Sequence, residues 1–373
     1  MKRSAMTLVL FAVACGSAFA QSSVTPYGVV DVGVQWNKQY ASSTNAQESV
    51  WSVDSGYQSG SRWGLRGSES LGGGLKAIFT LESGFDISTG VSGQGGALFG
   101  RQAWVGFQGG WGTLVAGRIA TPSSGTGSFD MFSAIDPFGT GFGINQLGST
   151  FIADNTLRED NAALYVSPVL GGFKGAAGYS FNRGGAETAP QGSNAPGVNL
   201  AGSFSAGPFY AVVTYDVLGY PDPGSSTSNA GKPDEKLLQI GATWDFKVIK
   251  LHGAFANQKN ISAVRGLVSI APPSGVTAYD NQAWMLGVTM PLFGGLLSAS
   301  YQSADGDSQS YATSTGTAKF EPDYSVWGLG YQYPLSPRTN LYAGYGQVAA
   351  AGTLSATQVD RKQFGTGLRH RFF

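Results

Sequence analysis

The stretch Phe209-Tyr-Ala-Val-Val-Thr-Tyr-Asp-Val217 puts Phe209, Ala211, Val213, Tyr215 and Val217 on one side of an extended chain and Tyr210, Val212, Thr214 and Asp216 on the other. A period of two belongs to a strand with one greasy face and one polar or small face. Leu238 to Phe246 repeats it, with Leu238, Ile240, Ala242, Trp244 and Phe246 set against Gln239, Gly241, Thr243 and Asp245. Working outward from these two, similar runs fall at 25–36, 60–68, 74–85, 99–108, 112–121, 160–167, 173–182, 197–205, 248–258, 282–290, 295–304, 323–333, 338–348 and 361–373. The chain therefore reads as sixteen strands.

What joins the strands is as informative as the strands. Long polar segments at 37–59, 86–98, 122–159, 183–196, 218–236, 259–281, 305–322 and 349–360 alternate strictly with short links such as Glu69 to Gly73, Gly109 to Trp111 and Pro334 to Pro337. All long loops then lie on one rim and all tight turns, with both termini, on the other. An even number of antiparallel strands with this bias is the pattern of a closed transmembrane β-barrel. No apolar run beyond the first twenty residues approaches the ~20 residues that a membrane helix needs, so a barrel is the remaining way to span a bilayer. Trp63, Trp104, Trp111, Phe173, Phe209, Phe246, Phe293, Tyr331, Tyr333 and Phe372 gather near strand ends and are expected to form aromatic belts at the membrane interfaces.

The chain opens with Lys2 and Arg3, an apolar core from Leu8 to Ala14, and Ala18-Phe19-Ala20, the pattern of a secretory signal over 1–20 that is cleaved before Gln21. The single cysteine, Cys15, lies inside it, so the exported part, 21–373, holds no disulfide and no cysteine metal site. Without Lys2 and Arg3 the 23 basic residues fall to 21 against 23 acidic, a formal balance of −2, which is no footprint for nucleic acid. Nothing implies a cofactor. The two histidines, His252 and His370, sit on separate expected strands, and no serine stands in a nucleophile-elbow motif, so the chain is not read as an enzyme.

One connection is out of proportion. The segment 122–158 carries Phe129-Asp-Met-Phe-Ser-Ala-Ile-Asp-Pro-Phe-Gly-Thr-Gly141, aromatic and acidic rather than linker-like, and a loop this long in a compact fold is commonly functional. Around it stand Tyr27-Gly-Val-Val-Asp31, Ser61-Arg-Trp-Gly-Leu-Arg-Gly-Ser-Glu69, Leu71-Gly-Gly-Gly-Leu-Lys-Ala77, Arg101-Gln-Ala-Trp-Val-Gly-Phe107, Gly112-Thr-Leu-Val-Ala-Gly-Arg118 and Asn161-Ala-Ala-Leu-Tyr-Val-Ser-Pro168. In this order the motifs resemble the trimeric general porins of Gram-negative outer membranes, in particular the beta-proteobacterial kind, over nearly the whole chain.

The resemblance implies a homotrimer that the barrel-assembly machinery inserts among outer-membrane lipid and lipopolysaccharide, and that lets small hydrophilic solutes and ions diffuse. It also implies that the third long loop folds inward. There Asp130 and Asp136 would face wall arginines Arg62, Arg118 and Arg158, with Arg101 a further candidate. Alternation places Arg62 on one face with Gly64 and Arg66. Opposed fixed charges in a narrow constriction would give a strong transverse field. The alternatives are that these arginines are tied up in ion pairs, and that the channel is selective for sugars or small anions, with Phe129, Phe132, Phe138 and Phe142 as a greasy slide. The family ends on a terminal Phe, which Phe372 matches as assembly signal, and Phe373 is one residue more.

Overall fold

The computed structural model describes residues 22–41, 46–151, 158–226, 229–261, 273, 276, 278–313, 316–351 and 360–373. The expected leader, 1–20, and the segment 152–157 lie outside the described residues. The strands are β1 (Ser23–Ala41), β2 (Ala46–Ser55), β3 (Arg62–Gly72), β4 (Leu75–Gly84), β5 (Gln102–Gly109), β6 (Gly112–Ala120), β7 (Arg158–Val166), β8 (Phe173–Ser180), β9 (Gly197–Ala206) and β10 (Phe209–Leu218). They continue with β11 (Glu235–Asp245), β12 (Lys250–Ile261), β13 (Tyr279–Leu292), β14 (Gly295–Gly306), β15 (Gln309–Thr313), β16 (Gly316–Phe320), β17 (Asp323–Pro334), β18 (Thr339–Ala351) and β19 (Arg361–Phe372).

Each wall strand pairs antiparallel with its neighbours, and the ring closes where β1 meets β19, from Gly28 opposite Phe372 to Gln39 opposite Arg361. β2 and β3 lie end to end along β1 and make one interrupted wall strand, so the barrel has sixteen, as the alternation implied. Two things differ from the sequence reading. The connection expected at 37–59 is largely an extension of the wall, because Val50-Trp-Ser-Val-Asp54 continues the pairing with β1, and the connection 305–322 contains a separate hairpin, β15 with β16.

The face that points outward is the greasy one. Val213 is 44% exposed, whereas Val212, Thr214 and Asp216 are 3% exposed or less. A water-soluble barrel would show the reverse, so the outer surface is built for hydrocarbon. Two aromatic rows bound it. On the long-loop side Trp284 packs on Tyr301 at 5.4 Å, Trp327 on Tyr345 at 5.3 Å and Trp36 on Trp51 at 6.4 Å, and register joins these through Tyr301 beside Trp327 and Phe364 beside both Tyr345 and Trp36. On the short-turn side run Trp111 with Tyr165, then Phe173, Phe204, Phe209, Trp244 and Phe246, each within 6.4 Å of the next in its group. Such rings suit the headgroup level, where an apolar body and a polar edge both find partners. Trp104, expected in a belt, instead turns inward and is 6% exposed.

At the seam the Phe372 ring lies over Gly28: a Cβ at residue 28 would come within 2.1 Å of the ring. The aromatic covers backbone that glycine leaves bare and ties the last strand to the first. Gly28→Val is expected to destabilise closure by about 1–3 kcal/mol through this overpacking. A lower yield of folded, heat-modifiable protein on refolding into detergent would show it; an unchanged yield and melting temperature would count against the contact.

Candidate functional site

The long connection from β6 to β7 turns into the barrel because its apolar side chains have a wall to pack against. Phe132, Ile135, Phe142, Ile144, Leu147 and Phe151 are fully buried, and Phe129 packs on the inward Trp104 at 5.0 Å between ring centroids. Alternation against the exposed Val105 and Phe107 sends Trp104 inward, where Phe129 covers it. Phe129, Phe132, Phe138 and Phe142 are all 8% exposed or less, so they pin the loop rather than line a greasy slide.

Polar side chains of the wall satisfy the loop backbone. Tyr210 Oη donates to the Met131 carbonyl and His252 Nδ1 to Ile135 O at 2.9 Å, and in the other direction the loop's Asn145 Nδ2 donates to the wall carbonyl of Tyr345 at 3.0 Å. Gln302 Nε2 donates to Asn145 O at 2.8 Å, Tyr324 Oη to Ser149 O at 2.8 Å and Gln258 Nε2 to Thr150 O at 3.0 Å, while Gln363 Oε1 accepts from Ile144 N at 3.0 Å. The loop is thus fixed to β10, β12, β14, β17, β18 and β19. Of the histidines, His252 serves this latch and His370 Nδ1 pairs with Thr339 Oγ1 at 2.9 Å.

Asp130 and Asp136, the loop carboxylates singled out from sequence, are occupied by backbone. Asp136, 5% exposed, accepts from the amides of Phe138 at 2.8 Å, Thr140 at 3.0 Å and Leu147 at 3.0 Å, holding both ends of the loop tip. Asp130 accepts from Phe132 N at 3.0 Å and Ser133 N at 3.2 Å, and it also borders the lumen.

Guanidinium groups gather around the lumen beside this loop. A cavity of about 470 Å³ is bordered by Arg62, Arg101, Arg158, Arg369 and Arg371 together with Asp130. A second, of about 760 Å³ toward the short-turn side, shares Arg62, Arg101 and Arg371 and adds Arg66 and Glu82. Glu82 is the carboxylate they hold: Arg101 Nε reaches its Oε1 at 2.7 Å and Arg62 Nε its Oε2 at 3.6 Å, with Tyr27 Oη donating to it at 2.9 Å. Arg66 lies over the Tyr27 ring at 4.0 Å. Arg158 and Arg371 have no carboxylate at salt-bridge distance among the described residues. Guanidinium remains charged at any relevant pH, so the cluster carries a net positive charge.

Of the residues singled out from sequence, Arg62, Arg101, Arg158 and Asp130 meet at one cavity, and Asp136 is buried within the loop. Arg118 stands apart: its Nε donates to Gly100 O at 2.7 Å, its Nη1 pairs with Asp160, and it borders neither cavity. The resemblance implied a wall position for Arg118, but alternation from the exposed Leu114 and Ala116 sends it to the outer face, just where pairing shifts register between Gly117 and Ile119. Sequence reading passed over Glu82, Arg369 and Arg371. The signal for the last two was present, since Leu368 points outward and alternation then sends Arg369 and Arg371 inward.

Removing the Asp136 carboxylate would strand three amides, the buried ones of Phe138 and Leu147 at about 1–3 kcal/mol each. Asp136→Ala is therefore expected to loosen the loop, with noisier single-channel current and proteolytic nicking between 130 and 150 while the barrel stays folded. A quiet channel with an intact loop would contradict this role.

The sequence profile of the Gram-negative porin family matches residues 5–353. An outer membrane porin protein of Bordetella pertussis is 35% identical, with all of both chains aligned. Among solved structures, an anion-selective porin from Comamonas acidovorans superposes over 94% of this chain and 100% of its own, with a TM-score of 0.70 and 24% identity. The trimer form of the Vibrio cholerae outer membrane protein OmpT covers 94% of this chain and 99% of its own, with a TM-score of 0.60 at 15% identity.

Proposed function

Because the chain belongs to the Gram-negative porin family, an outer-membrane family of passive channels, we propose that its diffusion of small hydrophilic solutes and ions carries a preference for anions. The observation behind this is the imbalance at the lumen, where Arg62, Arg66, Arg101, Arg158, Arg369 and Arg371 stand against Glu82 and a backbone-capped Asp130. The Comamonas protein that shares the fold is anion-selective, which agrees. A positive, water-filled neck raises the local concentration of anions and repels cations without any binding step.

The remainder of the proposal follows the family. The segment 1–20 is removed on export, the third loop sets the aperture, Phe372 presents the assembly signal to the barrel-assembly machinery, and the greasy wall sits in lipid beneath lipopolysaccharide. Three copies assemble, as in the trimer form of OmpT. The buried state of Phe129, Phe132, Phe138 and Phe142 argues against a sugar slide.

In a potassium chloride gradient across a planar bilayer, the reversal potential is expected to take the sign that chloride sets, and the preference to shrink as salt rises above the range where the Debye length is about 8 Å. A charge roughly 8 Å from a passing ion in water is worth about 0.5 kcal/mol, attraction for an anion and repulsion for a cation, so each neutralised lumen arginine lowers the chloride-to-potassium permeability ratio about fivefold before screening. Arg158→Gln and Arg371→Gln are expected to show this loss, and Arg118→Gln to leave the ratio near its starting value. Potassium preference in the unaltered protein would sink the reading.

A further inference from the structure

The interrupted wall strand has a surplus that goes somewhere. Between Val29 and Val32 of β1 lie only Val30 and Asp31, yet between their partners, Arg62 and Ser55, lies the whole segment Gly56–Ser61. Gly56 turns the chain at φ +78° and the extra residues enter the lumen. Asp31, fully buried, closes the turn. Its carbonyl accepts from Gly56 N at 2.9 Å, its amide donates to Ser61 Oγ at 3.1 Å, and its carboxylate accepts from Ser59 N at 2.7 Å and Tyr342 Oη at 2.6 Å.

The turned-in segment is locked to the tip of the third loop on one side. The Tyr57 carbonyl accepts from Gly143 N at 3.0 Å, and its ring stacks on Tyr342 at 5.9 Å and meets Phe142 edge-on at 5.8 Å. The Gln58 carbonyl fills the space beside Gly141, where a Cβ would come within 1.8 Å, so the two backbones touch only because residue 141 is glycine. Gln58 Oε1 also accepts from Asn340 Nδ2 at 2.8 Å. On its other side the segment holds a lumen cation: Arg62 Nη1 donates to Gly60 O at 2.8 Å and to Ser59 Oγ at 3.3 Å. Gly56, Ser59 and Gly60 border the same cavity as the arginine cluster.

We propose that Gly56–Ser61 is a second jaw of the pore, joined to the in-folded loop at Gly141–Gly143, and that Ser59 and Gly60 are positioning residues that aim the Arg62 guanidinium across the anion path. The charge arm of this inference rests on the anion preference proposed above; the jaw itself rests on geometry alone. A wall insertion whose carbonyl and hydroxyl oxygens accept from one guanidinium fixes that charge in a way a straight strand does not, since a strand spends its backbone groups on its neighbours. The pore is then bounded by wall as well as by loop.

The test is chemical modification of one introduced thiol. Cys15 is the sole native cysteine, so a Cys15→Ser background isolates Ser59→Cys, with Ser310→Cys in the β15 hairpin as a distant comparison. Each folded protein is treated with a sulfonate-bearing or a trimethylammonium-bearing methanethiosulfonate, modification is checked by mass, and single-channel conductance and reversal potential are read. Expected at Ser59→Cys is a fall in conductance of about twofold with both reagents, with the sulfonate lowering and the ammonium raising the chloride-to-potassium ratio; at Ser310→Cys neither quantity changes. Complete modification with unchanged conductance would overturn the jaw, and equal ratios after the two reagents would overturn its hold on the charge at the neck. Were the unaltered protein indifferent to ion sign, the conductance arm would still decide the jaw.

Discussion

Hydrocarbon offers backbone amides nothing to bond with, and the architecture follows from that one constraint. Every N–H and C=O at membrane depth needs a partner within the chain, and a sheet meets this only by closing on itself. The pairing of β1 with β19 supplies the closure, and the Phe372 ring over Gly28 covers the seam at its short-turn end. Once the ring is closed, alternation assigns every side chain to lipid or lumen, and the outer face becomes greasy between two aromatic rows.

Closure creates a second problem on the inside. A sixteen-stranded ring encloses more space than its own side chains fill, and the third loop takes up part of it. Where the loop packs, the inner wall offers room, apolar surface and hydrogen-bond partners: Gly328, Gly344 and Gly346 leave room for Asn145, Phe142 and Ile144, Val212, Met285 and Val326 are buried beneath it, and Gln258, Gln302 and Tyr324 bond its backbone. Where the loop stops, arginines line the inner wall, with Glu82 the carboxylate that Arg62 and Arg101 hold. One surface therefore serves as a protein core on one side and an electrolyte channel on the other, with Asp130, Ser133 and Thr140 of the loop bordering the cavity between them.

This division explains what the sequence disclosed. Period two in stretches such as Phe209 to Val217 locates the wall strands and their outward faces, because lipid imposes the same demand on each of them. It does not disclose what lies against the inward face. Trp104 reads as a belt residue until Phe129 is seen to cover it. The bulge near Gly117 and the insertion Gly56–Ser61 break the period for only a few residues, too briefly to stand out, yet each lies beside an arginine: Arg118 at the first pairs with Asp160, and the second holds the Arg62 guanidinium through Gly60 O and Ser59 Oγ. Arg369 and Arg371 obey the period and were legible from it, alternating inward against the outward Leu368.

The wall contacts of the third loop also set an order in time. Ile144 bonds Gln363 across 219 positions of sequence, and Asn145 bonds Tyr345 across 200, so the residues that hold the loop are among the last to be synthesised. Contacts of such separation form late, since closing the chain between them must precede any gain from the bond. The aperture is accordingly a product of completion: a chain stalled short of β18 and β19 lacks both the seam that makes it a ring and the anchors that hold its loop tip in place.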